Sequence, residues 1–410
     1  MKKLVVVALS LVIILGFLFW KFGPSFQQTP PTGPVSLTYW GLKDENIIKP
    51  QVVEFESQNP NIKINYVHQS TINYRTRVQT QIRSGVGPDI FQFHNSWLAM
   101  FESDLAPAPK DIWTMEEYKK DFLPIAADSF SKNDNIFAAP DQIDGLALFI
   151  NEDILQAVGE KVPKNWREFI ESAVKVTVQD ETGKIQTAGA ALGTTSNVDY
   201  WSDILGLLLM QQPGVNLASP QSPAVAEVLR FYISFVIDPR RKTWDVNMPS
   251  SSETFAQGRL AFYFGPAWRT GQFKQNPNLK FKVVPVPQLS ERQVAWASFW
   301  GEAVSGTSKY QKQAWQFIKF LTAKEIEIRK QMAADSLLNA YISQGSYYKF
   351  WYLSSNTFDN GINDEMITVW KEGVDEILQT NNPDKALQNI AVGVRKVLDK
   401  YTKPVPAPTR

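Results

Sequence analysis

The alternation of predicted strands and helices between residues 35 and 93 constrains the fold of this chain more than any other feature. Three segments rich in β-branched and aromatic residues predict strands, at residues 35–41, 62–67 and 87–93. Two segments between them carry apolar residues three or four positions apart and predict helices, at residues 42–57 and 74–85. Strands that alternate with helices pair in parallel through right-handed crossovers, so the sequence predicts an open α/β sheet.

Ligands of open parallel sheets bind beyond the carboxyl ends of the strands. The first predicted strand ends at Trp40, and the third runs into the loop His94–Trp97. We therefore expect Trp40, Asn95 and Trp97 on one rim of the sheet, where they could contact a ligand. Core packing is the alternative for each aromatic ring, and His94 is expected to be a loop residue or a hydrogen-bond partner of the ligand.

The stretch Asn135–Asp153, with the sequence NIFAAPDQIDGLALFINED, predicts a passage between two parts of the molecule. Its first apolar run is stopped by Pro140, and the polar cluster 141–145 then predicts an exposed loop. The second apolar run, Leu146–Ile150, predicts a buried strand that leads into a helix. An ordinary loop before a core strand is the alternative interpretation.

Length and composition exclude several classes of protein. A chain of 410 residues is long enough for about two domains. Its 42 Lys and Arg residues balance 41 Asp and Glu residues, so the chain has no large positive charge that would attract nucleic acid. The chain has no Cys and only two His, which excludes disulfides, thiolate sites and a Cys-linked lipid anchor, and disfavours a metal site. No nucleotide-binding or hydrolase motif occurs, and we expect no cofactor and no catalytic residue.

The two ends of the chain differ from its middle. Lys2 and Lys3 precede the uncharged apolar run Leu4–Trp20, which approaches the ~20 residues that span a bilayer. Because no small-residue cleavage site follows, residues 1–22 predict an uncleaved signal anchor with its N-terminus in the cytoplasm; a cleaved signal peptide is the alternative. Residues 23–34 predict a flexible Pro- and Gly-rich linker, and residues 402–410 a disordered tail. The folded part would then be extracytoplasmic.

Several sequence blocks resemble, in order, those of the family 1 extracellular solute-binding proteins of ABC importers. The stretch 135–153 is similar to the family's Y-G-L-P-x-x-x-D-x-x-x-L-x-Y-N-K-D segment. Residues 163–169 (PKNWREF) resemble P-K-T-W-D-E-L, with Asn165 as a helix N-cap and Glu168 three residues later. Other blocks resemble the family at residues 35–40, 74–89, 188–198, 255–262, 300–305 and 314–321. Beyond about residue 340 only the helical character is recognisable.

The resemblance implies a type II-like periplasmic-binding-protein fold of two α/β lobes joined by a hinge. It assigns residues 35–140 and 287–330 to lobe 1, and residues 141–286 and 331–401 to lobe 2. Residues 283–287, with the sequence VVPVP, would be a return crossing between them. It further implies a small-molecule ligand in the cleft, closure about the hinge, and ABC permease subunits as membrane partners.

A sugar offers C–H faces that pack on aromatic rings and hydroxyls that need fixed polar partners. The resemblance places a loop at residues 263–268 in the cleft with Trp268 at its tip. The candidate ligand-binding residues combine aromatic and polar side chains near predicted loops and strand ends: Trp40, Asn95, Trp97, Asp141, Asp144, Asn197, Tyr200, Trp201, Trp268, Arg269, Trp300 and Glu302.

Other functions stay open at this point. The ligand could be a different polar solute, such as a polyamine or glycerol phosphate. A secreted glycoside hydrolase would use a pair of carboxylates, for which Asp141, Asp144 and Glu302 are the best placed, although their spacing does not fix the separation that such chemistry needs. An anchored scaffold without a transporter is the third alternative.

Overall fold

The computed structural model describes residues 33–402 except residue 290, and omits the side chains of residues 324 and 325. The predicted signal anchor, the linker up to residue 32 and the tail from residue 403 lie outside the described residues. Within the described part, no helix is long and apolar enough to cross a membrane. The described residues form two five-stranded sheets with helices packed on them.

The first sheet contains the predicted strands at the start of the chain. Its strands, in order across the sheet, are β2 (Ile62–His68), β1 (Val35–Gly41), β3 (Ile90–His94), β13 (Trp300–Val304) and β6 (Ala138–Gln142). Strand β1 pairs in parallel with β2 and with β3, which confirms the parallel arrangement expected from the alternating pattern. Strand β13 inserts antiparallel between β3 and β6, so a late segment of the chain completes this sheet.

Pro140 does not stop the strand that precedes it, contrary to the sequence-based prediction. It lies in the middle of β6 and pairs with Gly301 of β13. Strand β6 is at the edge of the sheet and has a neighbour on one side only. Proline lacks an N–H donor and is tolerated in a strand where no neighbour needs that donor. An edge position therefore explains why the strand continues to Gln142.

The second sheet is built mainly from the middle of the chain. Its strands, in order across the sheet, are β11 (Phe281–Val284), β7 (Ala147–Asn151), β10 (Leu260–Gly265), β9 (Ile185–Ala190) and β8 (Val178–Gln179). Strands β9 and β10 are parallel, and the other neighbours are antiparallel. Four short strands complete the description: β4 (Ser131–Lys132), β5 (Asn135–Ile136), β12 (Ala295–Trp296) and β14 (Tyr348–Lys349).

The helices cover both sheets. Those up to the first crossing are α1 (Glu45–Gln58), α2 (Tyr74–Arg83), α3 (Leu98–Phe101), α4 (Met115–Asp121) and α5 (Pro124–Phe130), with a 3₁₀ turn at Glu102–Asp104. Those of the middle segment are α6 (Glu152–Ala157), α7 (Trp166–Val176), α8 (Trp201–Gln211), α9 (Pro223–Ile237), α10 (Ser251–Ala256) and α11 (Arg269–Phe273). The last are α12 (Gln311–Ala334), α13 (Asn339–Ser343), α14 (Ile362–Thr380) and α15 (Pro383–Tyr401).

Helix α12 returns to the first sheet, where it packs on β6 and β13. Helices α14 and α15 pair with each other and pack on α8 and α9 beside the second sheet. The N-cap predicted at Asn165 is confirmed, because its side chain accepts the backbone N–H of Glu168 at 2.9 Å. Each lobe therefore combines a sheet, its own intervening helices and helices from the last third of the chain.

Three chain segments meet between the two sheets, and we call them the crossing: residues 143–146, 295–298 and 347–349. The backbone N–H of Leu146 donates to the carbonyl of Trp296 at 3.0 Å, and strand β12 pairs in parallel with β14. Gly145 lies so close to Trp296 that a Cβ atom there would be 2.0 Å from the Trp296 carbonyl oxygen. A residue without a side chain is therefore required for the segments to pass this closely.

Candidate functional site

A cavity of about 650 Å³ lies between the two lobes and next to the crossing. Its walls carry Lys43, Asp141 and Trp300 from the first lobe, and Tyr200 and Trp268 from the second. The crossing adds Asp144, Trp296 and Ser298 to the lining. A concave site with aromatic walls and a few placed polar groups is the usual form of a small-molecule site.

Trp300 forms the aromatic wall on the first lobe. Its ring meets Trp97 edge-on at 5.3 Å between centroids, and His94 edge-on at 5.0 Å. Phe358 stacks on it at 6.0 Å with an interplanar angle of 24°. Trp300 is partly exposed and begins β13, so its ring is fixed by these neighbours and still reaches the cavity.

Trp268 stands at the opposite wall, on the loop between β10 and α11. The structure confirms that this loop follows a strand and opens a helix, and the Trp268 side chain is 57% exposed. The guanidinium of Arg269 lies 4.4 Å from the Trp268 ring centroid, a distance at which cation–π attraction is favourable. Arg269 Nε also donates to the Tyr200 hydroxyl at 3.2 Å. Arg269 therefore supports Trp268 and Tyr200 from outside the cavity lining.

Asp144 connects the crossing to the Trp268 loop. Its carboxylate accepts the backbone N–H of Ala267 at 2.9 Å and that of Gly145 at 2.7 Å. Burial raises the pKa of Asp144 to about 6, although these two N–H donors favour the charged form. Because the residue next to Trp268 is held by this carboxylate, the position of the ring depends on the crossing.

Asp203, which the sequence analysis missed, has a similar role. It lies in the first turn of α8, and its Oδ1 accepts the indole N–H of Trp296 at 2.9 Å. The backbone N–H of Ser355 donates to its Oδ2 at 3.1 Å. Burial raises the pKa of Asp203 to about 6. The sequence did contain a signal for Asp203. This residue lies three residues after the candidate Tyr200, and side chains three residues apart share one face of a helix.

Lys43 was also missed, and it forms an ion pair with Asp141 at the cavity. Burial would lower the pKa of Lys43, but the neighbouring Asp141 carboxylate raises it overall. Lys43 follows the end of β1 by two residues, so it occupies the rim on which Trp40 was expected. The rule that ligands bind beyond strand ends therefore predicted the correct rim. The strand ends at Gly41, one residue later than predicted, and the residue that reaches the cavity is Lys43.

Glu302 is buried behind this ion pair in β13 and does not line the cavity. Its Oε1 accepts the Tyr39 hydroxyl at 2.7 Å, while Oε2 has no hydrogen-bond partner among the described residues. Burial and the nearby Asp141 carboxylate raise the pKa of Glu302 well above its usual value. A carboxyl group with a raised pKa favours its neutral form, and here it joins two strands of the first sheet through the Tyr39 hydroxyl.

The structure brings five of the predicted site residues together in the cavity lining: Asp141, Asp144, Tyr200, Trp268 and Trp300. Three others from the first lobe lie outside the lining. Trp40 is half-buried within β1. Asn95 is fully buried, and its side-chain oxygen accepts the backbone N–H of Phe299 at 3.1 Å. Trp97 is fully buried and stacks on Phe101 at 5.7 Å.

The remaining residues outside the lining are Asn197, Trp201, Arg269 and Glu302. The Asn197 amide donates to the backbone carbonyls of Asp245 and Met248 at 3.0 and 2.9 Å, so it fixes a loop of the second lobe. Trp201 is buried at the start of α8. Of these four side chains, Arg269 contacts two residues of the lining, Trp268 and Tyr200.

His94 is a buried strand residue, which corrects one of the two sequence-based expectations for it, that of a loop residue. It ends β3, is 1% exposed, and its ring nitrogens pair with the hydroxyls of Ser96 and Ser298 at 2.7 and 3.2 Å. Burial lowers its pKa to about 3, so the ring is neutral at physiological pH. Among the described residues, no group of three or more His, Cys, Asp or Glu side chains could hold a metal ion.

Comparison with known proteins identifies relatives of this chain. The profile of a family described as "Bacterial extracellular solute-binding protein" matches residues 51–343, or 293 of the 410 residues. A protein of Brucella abortus described as a binding protein is 22% identical over 66% of this chain and 67% of its own length. The multiple sugar-binding protein of Streptococcus mutans is 20% identical over 70% of this chain and 71% of its own length.

Solved structures share the two-lobed α/β architecture. An ABC substrate-binding protein of Listeria monocytogenes, in complex with cycloalternan, matches with a TM-score of 0.68 and 19% identity. The match covers 89% of this chain and 99% of that one. At this identity the likeness establishes the fold, and the family profile covers more than half of the sequence. The chain belongs to the bacterial extracellular solute-binding protein family.

Proposed function

We propose that this protein captures a carbohydrate in the cavity between its lobes and delivers it to the membrane permease of an ABC importer. The observation that carries the proposal is that Trp268 from the second lobe and Trp300 from the first line one cavity, together with polar side chains. Aromatic rings and polar groups in one cavity suit the C–H faces and hydroxyls of a sugar. The names of the relatives from Streptococcus mutans and Listeria monocytogenes support the same ligand class.

Capture works by closure about the crossing. A ligand that contacts both walls stabilises the closed arrangement of the lobes over the open one, and so shifts the population towards it. We propose lobe 1 at residues 35–140 and 287–330, and lobe 2 at residues 141–286 and 331–401. Strand β6 extends to Gln142 and helix α12 to Ala334, so two ends of these ranges shift by a few residues. The return crossing expected at residues 283–287 lies later, at 295–298, because residues 283–284 belong to β11 of the second sheet and the Gln211 amide donates to the carbonyls of Pro287 and Val294.

The five cavity-lining candidates, together with Lys43, are proposed to contact the ligand. Trp268 and Trp300 supply stacking surfaces, and the Lys43–Asp141 pair supplies a donor and an acceptor for hydroxyl groups. Two candidates outside the lining hold these residues in place: Trp97 packs against Trp300, and Arg269 contacts Trp268 and Tyr200. A polyamine or a glycerol phosphate is the competing ligand class, and one of these solutes would bind better than any sugar if that class were correct.

The proposed protein returns its ligand unchanged. Relatives in the family are binding proteins. Of the three candidate carboxylates, Asp141 is paired with Lys43, Asp144 accepts two backbone N–H groups, and Glu302 lies outside the cavity lining. These positions are poorly suited to the paired acid and base of a glycoside hydrolase. Incubation of the protein with an oligosaccharide that it binds is expected to give no product.

The family is extracellular, so the folded part of the chain lies outside the cytoplasm. We propose that residues 1–22 are an uncleaved signal anchor that keeps the protein at the cell membrane. N-terminal sequencing of the mature protein should then begin at or near Met1, and the protein should stay with membranes after a high-salt wash. A mature chain that begins near residue 32 or 35 would instead establish a cleaved signal peptide.

The ligand class is tested by thermal shift of the full chain with a panel of solutes. We expect a rise in the melting temperature with at least one oligosaccharide, because a ligand that binds only the folded state stabilises it. Spermidine and sn-glycerol 3-phosphate serve as the competing class in the same panel. A shift with one of these and with no sugar would overturn the carbohydrate proposal.

A further inference from the structure

The segment 355–361, which we call the cavity loop, spans from one lobe to the other. At its start, the backbone N–H of Ser355 donates to Asp203 of the second lobe at 3.1 Å. Near its end, Nε of Arg75 from the first lobe donates to the carbonyl of Asp359 at 2.7 Å. The loop also supplies Ser355, Asn356 and Phe358 to the cavity lining. It therefore lies where both lobes and a ligand could meet.

The backbone of the cavity loop is left-handed at three positions that are not glycine. The φ angles are +57° at Asn356, +52° at Phe358 and +44° at Asn360. Asn adopts this conformation readily because its short polar side chain tolerates it. A bulky residue such as Phe does so rarely and at a cost in free energy. The backbone by itself would thus favour Asn or Gly at position 358.

Buried hydrogen bonds hold the loop in this conformation. The carboxylate of Asp359 is fully buried and accepts the N–H of Gly361 at 2.7 Å and the side-chain amide of Asn363 at 2.7 Å. The same Asn363 amide donates to the Ser96 hydroxyl of the first lobe at 2.7 Å. A strained residue persists only where its surroundings determine its conformation, and this network does so for Phe358.

The side chain of Phe358 gives a reason for the strained backbone. Its ring stacks on Trp300 and also reaches the cavity, where it is only partly buried. The two rings form one continuous aromatic wall on the side of the first lobe. Residues held in unfavourable conformations cluster at ligand sites, where their geometry serves binding.

We propose that Phe358 contacts the ligand and determines specificity in this cavity, as the second half of the aromatic wall begun by Trp300. This inference rests on the proposed function for the position of the ligand and goes beyond it in assigning the residue. The left-handed backbone directs the Phe358 ring at the ligand, and a residue better suited to that backbone would stabilise the loop while removing the contact. Folding and binding should therefore respond to the same substitution in opposite directions.

The test compares three variants of the full chain. Phe358→Asn removes the ring and suits the backbone, and Phe358→Tyr keeps the ring. Asn360→Gly is the matched control, since it changes another left-handed residue of the same loop outside the cavity lining. Melting temperatures are measured without ligand, and dissociation constants by calorimetry with maltotriose, mannotriose, cycloalternan, spermidine and sn-glycerol 3-phosphate.

We expect Phe358→Asn to weaken binding of the tightest solute about tenfold while its melting temperature is unchanged or higher. Phe358→Tyr and Asn360→Gly should bind within about twofold of the wild type. The proposal is overturned if Phe358→Asn binds as tightly as the wild type. It is also overturned if that variant melts about 5 °C or more below the wild type, since the ring would then belong to the core.

The same experiment distinguishes failure of the proposed function from failure of the inference about Phe358. A wild-type chain that binds spermidine or glycerol phosphate and no sugar would overturn the carbohydrate class. The role of Phe358 would still be decided in that case, because the same three variants are compared on the solute that binds. A sugar that binds equally to the wild type and to Phe358→Asn would overturn only the inference about Phe358.

Discussion

The Asp144 carboxylate accepts the backbone N–H of Ala267 at 2.9 Å, and this contact joins the crossing to the loop that carries Trp268. The two residues are 123 positions apart in the sequence. Trp268 itself is largely exposed, so its ring is not held by packing in the core. The position of one aromatic wall of the cavity therefore depends on a carboxylate at the base of the lobes.

Asp144 should make the stability of the protein depend on pH. Burial raises the pKa of Asp144 in the folded state to about 6, above the ordinary value of an aspartic acid, so the folded state binds the proton more tightly than the unfolded state does. Its contribution to the free energy of unfolding should fall by about 1–3 kcal/mol as the pH rises from about 4 to about 6, and stay constant above that. Urea unfolding at several pH values measures this fall.

Asp144→Asn is the matched variant for this measurement, because the Asn side-chain oxygen can still accept the Ala267 N–H. The variant should lose the part of the pH dependence that Asp144 contributes. Asp203, whose pKa burial also raises to about 6, should keep its own contribution in the variant. An unchanged slope between pH 4 and 6 in Asp144→Asn would show that the pKa of Asp144 is not raised in the folded state.

Trp268→Ala should weaken carbohydrate binding by about 30-fold, because the sugar loses a stacking surface and water enters the wall. The melting temperature should change little, since the ring is 57% exposed. Calorimetry and thermal unfolding measure the two quantities. Trp97→Ala is the contrasting variant, because Trp97 is fully buried, and its removal should cost about 3–5 kcal/mol of stability. A sharp loss of stability in Trp268→Ala would assign that ring to the core.

Gly145→Ala should destabilise the protein by separating the crossing segments. The added Cβ would lie 2.0 Å from the Trp296 carbonyl oxygen, and it would disturb the hydrogen bond from Leu146 to that carbonyl. We expect a loss of about 2 kcal/mol or more in the free energy of unfolding. Gly271→Ala is the control, because nothing lies within 4 Å of a Cβ there and the residue is helical. Equal stability in the two variants would contradict a close crossing at Gly145.

Glu302→Gln should leave a bound oligosaccharide intact, as we propose for the wild type. The raised pKa of Glu302 already favours a neutral side chain, and Gln keeps an acceptor for the Tyr39 hydroxyl. Binding affinity should therefore change by no more than a few fold. Chromatography of the sugar after long incubation measures turnover. Product formed by the wild type and absent from Glu302→Gln would identify an enzyme.

The parallel strands of the first sheet could be predicted because their pattern is local. Residues 35–94 carry alternating strand and helix signals that need no knowledge of the rest of the chain. The insertion of β13 between β3 and β6 could not be predicted from pattern, since it pairs residues about 160–210 positions apart. The second lobe and the passage between the lobes at residues 135–153 were predicted from the resemblance to a family, and not from local pattern alone.

The candidate site was predicted in part for a similar reason. Trp268 and Asp144 lie on loops that carry recognisable turn residues, and both reach the cavity. Asn95 and Trp97 also follow a strand, but Phe299 and Trp300 pack against them, and contact with such a distant segment leaves no mark in the local sequence. Phe358 reaches the cavity from a loop beyond the recognisable blocks, so only the tertiary structure identifies it. Asp203 could have been found from its position one turn after Tyr200 on an apolar helix.

Capture of a carbohydrate between the two lobes is tested most directly by small-angle X-ray scattering of the full chain with and without a saturating sugar. Calorimetry first establishes which of maltotriose, mannotriose or cycloalternan binds, and at what concentration it saturates. If the sugar bridges Trp268 and Trp300, the radius of gyration should fall on saturation as the lobes close. A sugar that saturates the protein and leaves the scattering curve unchanged would contradict capture by closure.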